Sequence, residues 1–388
     1  MEKTPGCSLH FVFIPLMVPC HIPPMVDMTK LIARRNVKVT IVTTPRGETQ
    51  FRAIIDRDIQ SKSPIQTQLR FEIIELPSID YRENFFTTSN ILQPQLEELL
   101  EKLNPFPCCI IYDKYILCVV DIATKLKAPR IIFDWINCFN LLCNYNLHAY
   151  KLEAEYVEEY YRVTGHNVWC VGPLSLSNKD DWDKAWRVSK NINASEIETN
   201  QYVKWLNSWP QSSEIYVGTL CLVEPKHLRL VVVRRFEERV KDRGILNRDY
   251  WVPQVSIFSH KEVGAFFTHG GWMSTLDAIC AAVPLVALPV SVVEMLYNEK
   301  LLAHVAEIGV AMRAEIAMHC GEDEYGECVD EYGQCFKEVI EKVMREGTKE
   351  DKAKKYADMA TKAIEGGSYR NMSMLIDDII HAQLLNQN

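Results

Sequence analysis

The sequence predicts an α/β protein with two doubly wound parallel sheets, one to a domain. Three observations carry this: short apolar runs of strand length recur, helical patterns separate several of them, and the length exceeds what one core supports. At 388 residues the chain should divide into two domains, each large enough to bury a core.

The first series of runs is HFVFIPL (residues 10–16), VKVTIVT (37–43), FEIIE (71–75), CIIY (109–112) and RIIF (130–133). Such runs suit strands buried on both faces. MVDMTKLIARR and LQPQLEELLEKL carry helical spacing between them, which predicts βα units and a Rossmann-like domain over residues 1–171. The polar, Trp-rich stretch over 172–200 reads as a linker. EIYVGTL, VGAFFT and PLVALPV, with helices through YNEKLLAHVAEIG and CFKEVIEKVMREG, predict a second such domain over 201–368. SYRNMSMLIDDIIHAQLL is an amphipathic pattern and closes the chain as a helix over 369–388. Two such sheets facing one another would place the carboxyl ends of their strands around one cleft, so functional residues are expected just after strands.

With 47% apolar and 24% charged residues and a formal net charge of -8, the composition is that of a soluble globular protein. An acidic balance without a basic patch argues against nucleic acid as a partner. The 13 cysteines are scattered and unpaired in spacing, which suggests reduced thiols and a cytoplasmic setting. Cys320, Cys328 and Cys335, with His319 nearby, read as part of a solvated loop rather than a metal site, so no metal is expected. LHFVFIPLMV is interrupted by Pro15 and lacks a small-residue cleavage site; it reads as the first strand rather than a signal peptide. No other run is long enough to cross a membrane.

The stretch AFFTHGGWMSTLDAI, from Ala265 to Ile279, joins an apolar strand to a helix that Ser274 or Thr275 could cap. Glycines there allow close backbone approach, and a helix amino end attracts phosphate, so a diphosphate-bearing ligand is expected. His21 follows the first strand and Asp113 a central one. A lone histidine is more often a satisfied structural residue, and Asp113 could simply end its strand. Both fall at carboxyl ends of one sheet, however, where an imidazole could take a proton from a hydroxyl and a carboxylate could stabilise the imidazolium. In YWVPQ, Trp251 could stack on a flat base and Gln254 could bond a sugar hydroxyl, against the plainer readings of a core indole and a loop amide. Asp277 could accept from ribose, or merely complement its helix dipole.

Together, WVPQVSIFSHKEVGAFFTHGGWMSTLDAICAAVPLVALPV and SVVEMLYNEKLL resemble the signature of the plant UDP-dependent glycosyltransferases, glycosyltransferase family 1. HFVFIPLMVPCHIPPMVDMTKLIARR, VWCVGPLSLSNKDDWDKA and GGSYRNMSMLIDDI are similar to the same enzymes, particularly the plant branch numbered 73. The resemblance implies a GT-B fold, with the N-terminal domain holding an acceptor and the C-terminal domain a UDP-sugar. By motif position, His21 resembles the general base and Asp113 its partner. Trp251 would stack on uracil, the backbone of Val252 would bond its edge, and Gln254 and Asp277 would hold ribose. Thr219, His269, Gly271, Trp272, Met273 and Ser274 would surround the diphosphate, and Glu294 would hold sugar hydroxyls. The implied reaction is inverting transfer of a hexose, glucose by resemblance, to a hydroxyl of a flavonoid, hormone or terpenoid. The UDP-sugar is the donor substrate and no cofactor is implied; the implied state is a monomer without membrane or nucleic-acid partners.

The sequence departs from the family pattern at several positions. Cys20 stands where a glycine is usual, Met273 where an asparagine is, Asp277 where a glutamate is, and Met295 where a glutamine grips glucose. Segments are missing after NLLCNYNLHAYK and after EPKHLRL, and the second gap leaves too few residues for a parallel crossover, so that sheet should lose a strand or pack irregularly. An alternative is therefore a truncated, catalytically impaired nucleotide- or metabolite-binding protein of the same fold. A nicotinamide dehydrogenase is disfavoured because no G-x-G-x-x-G follows the first strand.

Overall fold

The computed structural model describes residues 9–16, 21–45, 47–48, 52, 68–74, 85–137, 140, 161–162, 167–177, 202–218, 244–245, 252–289, 293–312, 337–344 and 347–386. Contacts divide the chain into two compact units. One comprises Met1–Trp135, Trp169–Asn178 and Ile364–Asn388, the other Ile136–Val168 and Lys179–Ala363.

The first unit is built on strands β1 (His10–Ile14), β2 (Lys38–Thr43), β3 (Leu69–Ile73), β4 (Cys109–Asp113) and β5 (Arg130–Phe133). They form one parallel sheet in the order β3-β2-β1-β4-β5. β1 and β4 are buried along their whole length, as central strands apolar on both faces must be. Helices α1 (Ile22–Ala33), α2 (Phe85–Lys102) and α3 (Cys118–Lys125) make the crossovers. Leu96 and Leu100 of α2 pack with Val119 and Ile122 of α3 and with Ile110 and Tyr112 of β4 in one core cluster.

In the second unit, β6 (Glu214–Gly218), β7 (Val263–Thr268), β8 (Leu285–Ala287) and β9 (Gly309–Ala311) form a parallel sheet in sequential order. α4 (Gln254–Phe258), α5 (Trp272–Cys280), α6 (Val293–Lys300) and α7 (Gly347–Lys362) accompany it, and α6 runs on into a π-helical turn at Leu301–Val305. Phe258, Tyr216 and Phe266 pack together, with ring centroids 4.7 to 5.4 Å apart, and anchor α4 to the sheet. The expected double winding is not present among the described residues of this sheet. Residues 219–243, between β6 and β7, lie outside the described residues.

The expected cap is also corrected. α5 starts at Trp272 with Gly271 in the N-cap and no side-chain cap bond. Gly271 is extended, with φ -62° and ψ 130°, and its carbonyl already accepts from the Thr275 N–H at 3.0 Å, so Ser274 and Thr275 lie inside the first turn. The helix of α8 (Tyr369–Asn386) belongs to the first unit. There Arg35, in the turn after α1, lies over the Tyr369 ring, the Trp169 indole donates to Asp378 at 3.1 Å, and Asn371 donates to the Cys170 carbonyl at 2.9 Å. Among the described residues no helix is long and apolar enough to cross a membrane.

Candidate active site

In the first sheet the winding reverses between β1 and β4, the place where open α/β sheets receive ligands. His21 and Asp113 both stand there. His21 occupies the N-cap of α1, and Pro23 and Pro24 in the first turn give up only N–H groups that the helix does not need. Asp113 ends β4 and is 0% exposed. His21 Nδ1 lies 2.6 Å from Asp113 Oδ2, and the Tyr115 backbone N–H donates to Asp113 Oδ1 at 3.1 Å. The carboxylate can only accept, so Nδ1 carries the proton and the lone pair sits on Nε2.

The imidazole is further constrained by neighbours that the sequence reading did not single out. Trp135 meets it edge-on, with centroids 4.6 Å apart, and Tyr115 lies 5.9 Å away. Lys114 pairs with Asp134 at 3.1 Å while sitting 5.0 Å from the Trp135 ring centroid. These residues flank the two strand ends in IIYDKYI and IIFDWIN, and that adjacency to β4 and β5 was the available signal.

In the second unit, β7 delivers His269, Gly270 and Gly271 to the amino end of α5. Gly270 has φ +85°, a left-handed conformation that favours glycine, and its N–H donates to Thr268 Oγ1 at 3.2 Å. A Cβ on Gly271 would come within 2.7 Å of His269 Nε2, so the glycine lets the imidazole lie across the turn. Burial lowers the His269 pKa against an opposing contribution from the Gly218 carbonyl, so the ring is neutral near pH 7. The backbone N–H groups at the start of α5 point out of the helix with its positive dipole end, an arrangement that suits an anion.

Gln254 opens α4 and is buried, and the Ser274 hydroxyl donates to its Oε1 at 3.4 Å. Its own N–H donates to the Val252 carbonyl at 2.7 Å. The Trp272 side chain is buried. Met273, Asp277 and Glu294 are partly exposed on α5 and α6, while Met295 is buried against the Gly270 turn. Cys20, Thr219 and Trp251 lie outside the described residues, as do His319, Cys320, Cys328 and Cys335. Among the described residues no three His, Cys, Asp or Glu side chains group so as to hold a metal ion. Three buried asparagines, Asn137, Asn140 and Asn298, join behind the Gly270 turn. Two amides three residues apart in the apolar run WINCFNLL were the sequence signal for them.

Residues 240–321 match the family model described as UDP-glucoronosyl and UDP-glucosyl transferase. The chain is 31% identical to UDP-glycosyltransferase 73C5 of Arabidopsis thaliana over 493 aligned positions, with 98% of each covered. It is 32% identical to UDP-glycosyltransferase 73E1 of Stevia rebaudiana, with 97% of each covered. Since the chain itself has 388 residues, an alignment of 493 positions means that the relative carries segments absent here. Among solved structures, Glycyrrhiza uralensis UGT73P12 complexed with glycyrrhetinic acid 3-O-monoglucuronide superposes with a TM-score of 0.78 at 22% identity, with 98% of both chains covered. Medicago truncatula UGT71G1 complexed with UDP-glucose superposes with a TM-score of 0.71 at 16% identity, covering 96% of this chain and 98% of that one. The shared architecture is the GT-B fold.

Proposed function

The chain belongs to the plant UDP-glycosyltransferases of the 73 type, and on that premise we propose that it transfers a hexose from a UDP-sugar to a hydroxyl of a small plant metabolite, with inversion and with His21 as the general base. It is a transferase, and a UDP-sugar is its donor. Glucose is the proposed sugar, and a flavonoid, hormone or terpenoid the proposed acceptor. The same reading makes it a cytoplasmic monomer, a setting in which thiols such as Cys108 and Cys109 stay reduced.

The observation that carries this reading is the bond of 2.6 Å between His21 and Asp113 at the reversal of the first sheet. With Nδ1 holding a proton against the carboxylate, Nε2 takes the proton of the acceptor hydroxyl. The oxygen forms its bond to the anomeric carbon as the bond to the UDP oxygen breaks, and Asp113 steadies the imidazolium that results. UDP leaves with the added negative charge. The start of α5 offers backbone N–H groups to that charge, and His269, being neutral, contributes one N–H donor rather than a full positive charge. Met273 has no side-chain donor to add, so the diphosphate relies on backbone there. Gln254 and Ser274, already in contact, are assigned to ribose and phosphate, with Asp277 also on ribose and Glu294 on the sugar. Trp251, Val252 and Thr219 are assigned by motif position to uracil and the phosphates. The reading assigns no metal.

A second reading is a nucleotide-binding protein of the same fold that does not turn over. The segments carried by the relative and absent here favour it. The two are separated by UDP release and by mass spectrometry of products across an acceptor panel. The transferase reading expects acceptor-dependent UDP release and a glycoside, with a loss of about 10²–10⁴-fold in His21→Ala. UDP binding by calorimetry with no glycoside from any acceptor would favour the second.

A further inference from the structure

We propose that Asn298, backed by Asn137 and Asn140, is a positioning residue that sets the orientation of the diphosphate cradle; the inference rests on the donor reading above. Asn298 Nδ2 donates to the Gly270 carbonyl at 2.7 Å. Its Oδ1 accepts from Asn137 Nδ2 at 2.8 Å and from Asn140 Nδ2 at 3.0 Å. Asn140 closes the group, donating its backbone N–H to Asn137 Oδ1 at 2.7 Å and its amide to the Glu294 carbonyl at 3.2 Å. All three side chains are buried, at 2%, 0% and 1% exposure for Asn137, Asn140 and Asn298, and all belong to the second unit.

Burying three amides is unfavourable unless they bond one another, and a bonded set of amides fixes direction in a way that apolar contacts do not. What the set fixes is the peptide after Gly270, the left-handed residue immediately before the N-cap of α5. That peptide carries the Gly271 N–H opposite the held carbonyl, so its rotation would swing this N–H at the start of α5. The same set ties in the start of α6, whose Met295 carbonyl lies 3.2 Å from where a Gly270 Cβ would sit. Asn298 thus links the phosphate turn to the helix that carries Glu294. It touches neither substrate and acts through Gly270.

Asn298→Asp isolates this link, because a carboxylate still accepts from Asn137 and Asn140 but has no donor for the Gly270 carbonyl. Calorimetric affinities for UDP and for uridine are measured on the wild-type chain and the variant. The proposal expects UDP affinity to fall about tenfold, the scale of one hydrogen bond to a buried group, with uridine affinity unchanged and the donor KM raised while the acceptor KM holds. A merely structural role would lower both affinities together or neither, and either result overturns the proposal. If Asn298→Asp fails to fold by circular dichroism, Asn137→Ala decides: it removes one donor to Asn298, a fall of about threefold for UDP alone is expected, and an unchanged ratio of UDP to uridine affinity overturns the proposal. A wild-type chain that binds no UDP overturns the donor reading itself, and is recognised before any substitution is made.

Discussion

In the proposed reaction single side chains act through what their neighbours permit, and Asp113 is the sharpest case. Its Oδ2 lies 2.6 Å from His21 Nδ1, and its Oδ1 accepts from the Tyr115 N–H. Asp113→Asn keeps the shape but replaces a pure acceptor by a group that can also donate, and it removes the charge that steadies the imidazolium. Acceptor-dependent UDP release should fall about 10²–10⁴-fold, with UDP affinity by calorimetry unchanged because Asp113 lies in the first unit. The meeting of His21 and Asp113 was legible in the sequence because one follows a strand and the other ends one, and a sheet gathers such residues at its carboxyl edge. Asn298 was not, since nothing in YNEKL shows that its amide reaches back 28 residues to the Gly270 carbonyl. Trp135 was hidden for the same reason: edge-on contact with an imidazole comes from the pairing of β4 with β5, not from local pattern.

Helices and strands were read from periodicity, which the packing then trimmed. The run over 10–16 is trimmed to a strand of five residues, His10–Ile14, whereas the strand of the run over 71–75 starts two residues earlier, at Leu69. α5 begins at Trp272 because Gly271 stays extended, and a serine two or three residues farther on cannot override that backbone. α6 shows how an element carries strain in its charges. Glu299 is 7% exposed, its Oε1 has no partner among the described residues, and burial raises its carboxyl pKa to about 7 against the opposing Lys300 charge and Met312 backbone. Between the ordinary 4.5 and about 7 the folded chain therefore keeps a proton that the unfolded chain releases, and stability falls as pH rises through that window. Glu299→Gln abolishes the fall. Denaturant titrations should show variant and wild type converging near pH 4, with the variant gaining about 1–2 kcal/mol by pH 8 once solvent screening is allowed for. His269 titrates in the opposite sense, losing stability as pH drops below 6.5, and cancels in the difference because both proteins contain it.

At the scale of the molecule, the first unit is assembled from three separate stretches, with Ile364–Asn388 returning to it after the second unit has been traversed. Met372, Leu375, Ile376 and Ile379 of α8 are buried, a burial on the order of 5 kcal/mol or more. That is comparable with the whole stability of a domain. Removing residues 364–388 should thus destabilise the first unit selectively. The shortened chain is expected to bind UDP by calorimetry, to release none from a UDP-sugar and acceptor, and to show an earlier thermal transition. The amphipathic pattern announced this helix in the sequence, but not which unit it would join, since that is decided by contacts such as Arg35 with Tyr369 across 334 positions of chain. During synthesis the order matters in its own right. The ribosome must translate every described strand of the second unit before it reaches the helix that completes the first, so the first unit waits, incompletely covered, while the second can already close.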